Sequence, residues 1–234
     1  MKTLHKRFIV LWVSLFVLGI IWGCDSIEKP NDTSDYTMES DSNLDINNSI
    51  NAIAISELSE SEKQWLILMR EEEKLARDVY KTLWEKWWSK IFNNIAQSEQ
   101  THTNAIKVLL DRYMIADPVV DDTIWNYTSS EIKKLYDDLV NQWNQSLKDA
   151  LIVWATIEDL DIKDLNKLIQ ETDNEDIKMV YQNLNNGSHN HLRSFVRNII
   201  NNGDSYSPKY ISQVEYDQII SSQQGKGNWY WNWR

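Results

Sequence analysis

Arg70-Glu71-Glu72-Glu73-Lys74-Leu75-Ala76-Arg77-Asp78-Val79-Tyr80 is the stretch that decides the fold. Its apolar positions belong to a stripe, Leu66, Met69, Ala76, Tyr80 and Leu83, whose steps of three, four and seven residues fall on one face of an α-helix. Glu73 stands in the middle of that stripe. Upstream, Ser59-Glu60-Ser61-Glu62 has the form of a capping box, so the spacing predicts a helix A from there to about residue 86. Helix B, from about residue 90 to 113, carries Phe92, Ile95, Ala96, Ile106, Leu109 and Tyr113, and the short turn at Trp88 makes it return antiparallel. A connection containing Pro118 leads to Thr128-Ser129-Ser130-Glu131, a second capping box that opens a short helix to about residue 141. Helix C (about 146–171) has Leu147, Leu151, Trp154, Leu165 and Leu168 facing in. Helix D (about 175–201) has Ile177, Tyr181, Leu184, Phe195 and Ile199, and Gly203 stops it. Ser212 caps a last short helix. No strand pattern and no internal repeat is found, and the expected class is all-α: an antiparallel four-helix bundle with an extra short helix before helix C and a short C-terminal helix.

Every long helix breaks its inward stripe with polar residues at mid-length. These are Glu73 on A, Glu99 and His102 on B, Glu158 and Asp161 on C, and Ser188 and His191 on D. In an antiparallel bundle midpoints share a layer. One layer with up to four acids and two histidines is costly to bury unless a cation compensates it, and a pair of divalent ions would.

At this point the sequence resembles a family. Glu73-Lys74-Leu75-Ala76-Arg77-Asp78-Val79-Tyr80 and Ala96-Gln97-Ser98-Glu99-Gln100-Thr101-His102 are similar to the E-x-x-A-R-x-x-Y and A-x-x-E-x-x-H segments of rubrerythrin-type, ferritin-like proteins, over residues 58–202. More narrowly, R-E-E-E-K-L-A-R-D-V-Y, S-E-Q-x-H and N-H-L-R-S-F resemble a bacterial and archaeal ferritin-like family known mainly as a domain of unknown function. The resemblance implies a ferritin-like bundle with a di-metal carboxylate site, iron first and manganese second, held by Glu73, Glu99, His102, Glu158 and His191. Asp161 matches a second acid one turn after the helix C glutamate. Ser188 departs from the pattern, standing where a second bridging glutamate belongs. Around the site, Tyr80, Arg77, Ser188 and Arg193 are the candidates to support the ligands; the two arginines are read either as buried partners of these acids or as surface charges, and Tyr80 more as core filler than as a redox residue. Glu71 and Glu72 are expected on a solvated face, and His189 is expected to point away.

The ends of the chain add an address. Lys2, Lys6 and Arg7 precede an uncharged apolar run, 8–22, that reads as a signal peptide over residues 1–23 and is short for a spanning helix. Ile20-Ile21-Trp22-Gly23-Cys24 resembles a bacterial lipobox, which implies a lipidated Cys24 and a membrane anchor in the cell envelope. Residues 24–58, rich in Asp, Asn and Ser, read as a disordered tether, and 222–234 as a flexible tail. The fold occupies 59–202, with the C-terminal helix region at 203–221.

Composition closes off other classes. With 24 Lys+Arg against 35 Asp+Glu, a net charge of −11, nucleic acid is not an expected partner. One cysteine excludes a disulfide framework within the chain and a Cys-rich zinc or iron–sulfur site. The expected activity is a di-metal oxidase or peroxide-reducing oxidoreductase acting on oxygen or peroxide, in a dimer rather than a cage. The competing reading is a metal-free or single-metal envelope binding or structural module.

Twelve tryptophans beside six glycines is far from average usage. Trp22, Trp88 and Trp143 stand where a small or left-handed residue is wanted, and the related family looks glycine-like at Trp65, Trp88, Trp143 and Trp154. Trp229, Trp231 and Trp233 alternate with polar residues outside any core. The reading is that many of these are native glycines whose UGA codons were translated as tryptophan, with Trp87 genuine and Trp154 expected to crowd the metal layer.

Overall fold

The computed structural model describes residues 42–142 and 146–222, so the signal run, Cys24, Trp22, Trp143 and the tail tryptophans lie outside them. Seven helices and no strand are found among the described residues: α1 (Ser42–Ala52), α2 (Glu60–Trp87), α3 (Lys90–Arg112), α4 (Ser130–Gln142), α5 (Leu147–Glu171), α6 (Glu175–Asn201) and α7 (Gln213–Ser221). Helices A to D of the sequence are α2, α3, α5 and α6.

The caps act where the sequence places them. Glu62 N donates to Ser59 Oγ at 3.2 Å and Ser59 N donates to Glu62 Oε2 at 2.8 Å, the reciprocal box that satisfies two orphan donors of α2. Ser146 and Ser212 accept from Asp149 N and Glu215 N at the starts of α5 and α7. At α4 the box does not close as predicted. Ser129 Oγ is the cap, accepting from Ile132 N, while the Thr128 hydroxyl donates to Pro118 O.

The apolar core falls into two halves. One contains Tyr80, Phe92, Trp154 and Phe195; the other contains Leu66, Ile106, Leu165 and Tyr181. Each of the four long helices runs through both, α2 and α6 in one direction and α3 and α5 in the other. The polar residues that interrupt their stripes sit between the halves. Because α3 and α5 start at the same end, the chain must travel the length of the bundle between them, and residues 113–129 with α4 make that crossing.

The crossing is held to α2 by the charged residues of the quoted stretch. Arg70 Nε donates to Asp117 Oδ1 at 3.1 Å, Lys74 Nζ to Thr123 O at 2.9 Å, and Arg77 to both carboxylate oxygens of Asp122 at 2.8 and 3.0 Å. Asp78 takes Lys74, Arg77 and the Tyr127 hydroxyl at 2.6, 2.7 and 2.9 Å. Glu71 accepts from Thr128 N and Ser129 N, which puts a buried carboxylate at the positive end of α4. Glu71 is therefore not on a solvated face, and Arg77 is a buried partner of this clasp and not of the central acids. Arg193 likewise turns to the C-terminal segment, donating to Ile219 O and Ser222 Oγ.

That segment has its own anchor. Asp159, fully buried on α5, accepts from the Tyr206 hydroxyl at 2.8 Å and from the backbone N–H groups of Lys209, Tyr210 and Ile211.

The tether expectation is corrected at its C-terminal part. Ser42–Ala52 is helical, and Ile46 and Ile50, one turn apart, are 1% and 0% exposed in the Leu66 half of the core. Two isoleucines in an Asn/Ser run are too few to show a period, yet one i,i+4 pair suffices to dock a short helix. Arg112 secures it by donating to Asn51 Oδ1 and Ile53 O.

Among the described residues, three other than glycine have positive φ: Trp88 (51°), Met114 (54°) and Trp125 (65°). Trp88 is the left-handed cap of α2, its N–H on Trp84 O at 2.8 Å and its side chain 72% exposed, so the backbone strain is offset by little burial. This is the glycine conformation the sequence predicts there, and Trp125 shares it. Replacing Trp88 by glycine should stabilise the chain by about 1 kcal/mol, a rise of about 2–4 °C in melting temperature, since the left-handed region costs an ordinary residue about that much. An unchanged or lower value in a thermal melt would show that Trp88 is the better residue. Trp154 differs from Trp88: it is 1% exposed and packed on the Tyr80 ring at 4.2 Å within one apolar half.

Candidate metal centre

Four helices each supply part of one buried cluster. Glu73 comes from α2, Glu99 and His102 from successive turns of α3, Glu158 from α5 and His191 from α6; none is more than 8% exposed. The distances divide them into two triads that share one residue. His102 Nδ1 lies 2.9 Å from Glu99 Oε2 and 3.3 Å from Glu73 Oε2. His191 Nδ1 lies 3.1 Å from Glu99 Oε1 and 3.4 Å from Glu158 Oε2. Each triad can offer three ligand atoms within 4.8 Å of one another. Glu99 thus turns one carboxylate oxygen to each triad, and the two imidazole centroids are 5.7 Å apart.

The electrostatics show what burial asks of this layer. Burial lifts Glu73 to about 7 against the pull of His102. Burial alone would lift Glu99 too, but the two imidazoles outweigh it and hold this carboxyl well below its usual range. The histidines mirror this: burial favours their neutral forms, yet the facing carboxylates raise His102 well above its ordinary value and His191 to about 9. Glu158 is raised by burial. In the absence of other cations, protons on the imidazoles supply the positive charge that this set of acids demands.

The arrangement fits divalent ions on two observations. Carboxylates and imidazole nitrogens are the donors that iron and manganese take. His191 Nδ1 is buried 3.1 Å from Glu99 Oε1 and 3.4 Å from Glu158 Oε2, yet is aligned for a hydrogen bond with neither.

Asp161 does not join either triad. Its carboxylate accepts from the Ser188 hydroxyl, and burial together with the charges of Glu73, Glu158 and Glu99 pushes it well above its usual range. The residue that departs from the expected pattern and the acid expected to compensate for it are occupied with each other. Glu72 also differs from its sequence reading. It is half-buried beside Asp161 and Asp164 in a small cleft lined by Trp65 and Met69, and burial, with the charges of Glu73 and Asp164, raises it to about 8. His189 is half-buried rather than exposed, and burial lowers it to about 4.

Tyr80, one of the candidates to support the ligands, donates its hydroxyl to Glu158 Oε1 at 2.6 Å. One contributor escaped the sequence reading. Gly187, in the interior of α6, lies against the His102 ring: a Cβ there would fall 2.4 Å from both Cε1 and Nε2. The signal for it was available, because glycine inside a long helix costs about 1 kcal/mol relative to alanine and so calls for a close approach.

Comparison with known proteins places the chain in a family. The profile of a family described as an uncharacterized protein domain, DUF2202, matches residues 62–223. An uncharacterized protein of Methanocaldococcus jannaschii, MJ0754, is 55% identical over 178 residues, 76% of this chain and 96% of that protein. The crystal structure of hypothetical protein MJ0754 superposes with a TM-score of 0.70 at 56% identity, over 74% of this chain and 98% of that one. With the family profile spanning most of the chain, and with both the sequence and the structure of a relative agreeing, the chain belongs to the DUF2202 family.

Proposed function

We propose that this chain is a lipid-anchored, extracytoplasmic protein of ferritin-like type whose buried layer holds two metal ions, iron in preference to manganese. The observation that carries the reading is Glu99, whose two oxygens face two different triads, the disposition a bridging carboxylate needs. The topology agrees with it: two antiparallel hairpins joined by one long crossing is how ferritin-like bundles are connected. If bound as iron(II) or manganese(II), the ions would supply the electrons for reduction of dioxygen or peroxide and would themselves be oxidised. The chain's own residues do the rest. Glu73 and Glu158 close the two outer positions, the imidazoles present Nδ1 to them, Tyr80 fixes Glu158 through its hydroxyl, and the two apolar halves keep bulk water from the layer.

A second reading, one ion or none in an envelope binding or structural module, is favoured by Ser188, which gives its hydroxyl to Asp161 where a second bridging acid would be required. Metal loading decides between them. The full chain, reconstituted without oxygen with iron(II) and separately with manganese(II), should retain about two ions after desalting. No retained ion in either case would overturn the two-metal reading.

The anchor rests on the sequence alone. Cys24→Ser should move the protein from the membrane to the soluble fraction of cells that express it, with the signal segment processed differently. Unchanged membrane association would remove the lipid from the proposal.

A further inference from the structure

We propose that Gly187 is the positioning residue of the first metal position, that of Glu73, Glu99 and His102; the inference rests on the two-metal reading above. The His102 ring is held on both edges. On one, Nδ1 faces Glu99 Oε2 at 2.9 Å and Glu73 Oε2 at 3.3 Å. On the other, Cε1 and Nε2 fill the volume that a Cβ at position 187 would take, 2.4 Å from its centre. Contacts of that length do not occur between real side chains, so any larger residue at 187 must displace either the ring or α6.

Neither can move without loss. Position 187 is in the interior of α6, next to Ser188 and one turn before His191, both buried, so a shift of the helix carries His191 with it. A shift of the ring takes Nδ1 off the two carboxylates, and a ligand misplaced by more than about 0.5 Å no longer serves a shared geometry. The same contact selects the nitrogen. With the Nε2 edge against the α6 backbone, Nδ1 is the nitrogen of His102 left facing acids. His191 needs no such seat, because it projects from α6 itself and meets Glu99 and Glu158 directly.

The two metal positions therefore differ in their dependence on residue 187. In equilibrium dialysis of the full chain against cobalt(II), the wild type should hold two ions and Gly187→Ala one, with affinity at the first position weakened at least tenfold. A stability readout on the metal-free protein separates this from a general packing defect. Gly187→Ala should lower the melting temperature when His102 is present. In the His102→Ala background the same change should raise it, because the clash is gone and alanine is the better helix former. If Gly187→Ala keeps both ions at wild-type affinity, the proposal fails while the two-metal reading stands. If the wild type itself retains no metal, the two-metal reading falls and this inference falls with it. If the double variant is no more stable than His102→Ala alone, or does not fold, the contact with His102 is not what glycine is there for, and the proposal is overturned.

Discussion

Replacing Glu99 by alanine is expected to empty both metal positions at once, whereas Glu73→Ala and Glu158→Ala should each leave one ion in place. The asymmetry follows from the sharing of Glu99: its Oε2 belongs with Glu73 and His102, and its Oε1 with Glu158 and His191. Removing a residue that only supports a ligand typically costs about 10–100-fold in metal affinity. Removal of a ligand common to two positions should exceed the upper figure at both. Helix content should change little, because Glu99 makes its close contacts to the two histidines and the apolar halves above and below the layer do not depend on it. Ion counts per chain after iron(II) loading, with circular dichroism on the same samples, check the prediction. Retention of one ion by Glu99→Ala would mean that the two triads do not share it in solution.

The second large effect is on stability. Asp78→Ala should destabilise the fold by about 3–5 kcal/mol, the range for leaving one member of a buried ion pair without its partner, and should lower the melting temperature by roughly 10 °C. Lys74 and Asp78 side chains are both 0% exposed, and Asp78 also receives Arg77 and the Tyr127 hydroxyl. Without it, Lys74 keeps Thr123 O as an acceptor and the face of the Tyr127 ring, neither of which carries a full negative charge. The exposed pair Lys107 and Asp111 is the control. It has the same i,i+4 spacing and a 2.6 Å contact, yet its side chains are 44% and 62% exposed, so Asp111→Ala should change stability little. Equal losses from Asp78→Ala and Asp111→Ala in denaturant unfolding would contradict the account of the clasp.

These two residues mark the limit of what can be read from the chain. Glu99 is legible because helical periodicity is local: a polar residue on an apolar stripe stands out within a window of a dozen positions, and four such interruptions at mid-helix identify a layer. The helices themselves, and Glu73, His102, Glu158 and His191 with them, were legible for the same reason. Asp78 was not, since its meaning depends on Tyr127, 49 residues away, and Glu71 depends on backbone groups 57 and 58 residues away. A run of charges on a helix looks the same whether water or another segment of the chain covers it. Asp161 has the right spacing from Glu158, yet its carboxylate accepts from the Ser188 hydroxyl and is not in either triad, a pairing between two helices that spacing along one of them does not show.

The anchor at Asp159 bears on the order in which the molecule is built. Asp159 follows Glu158 directly on α5, so whatever fixes the rotation of α5 at one residue fixes it at the other. Its acceptors are filled by residues up to Ile211, which lies 52 positions further along the chain. The hairpin of α2 and α3, with Glu73, Glu99 and His102, closes over a short turn, whereas α5 is oriented only when a stretch far along the chain has docked. For a chain exported unfolded, as proposed here, both steps follow translocation, and the layer would reach its final shape, and be ready for ions, only once residues 206–211 have closed on Asp159.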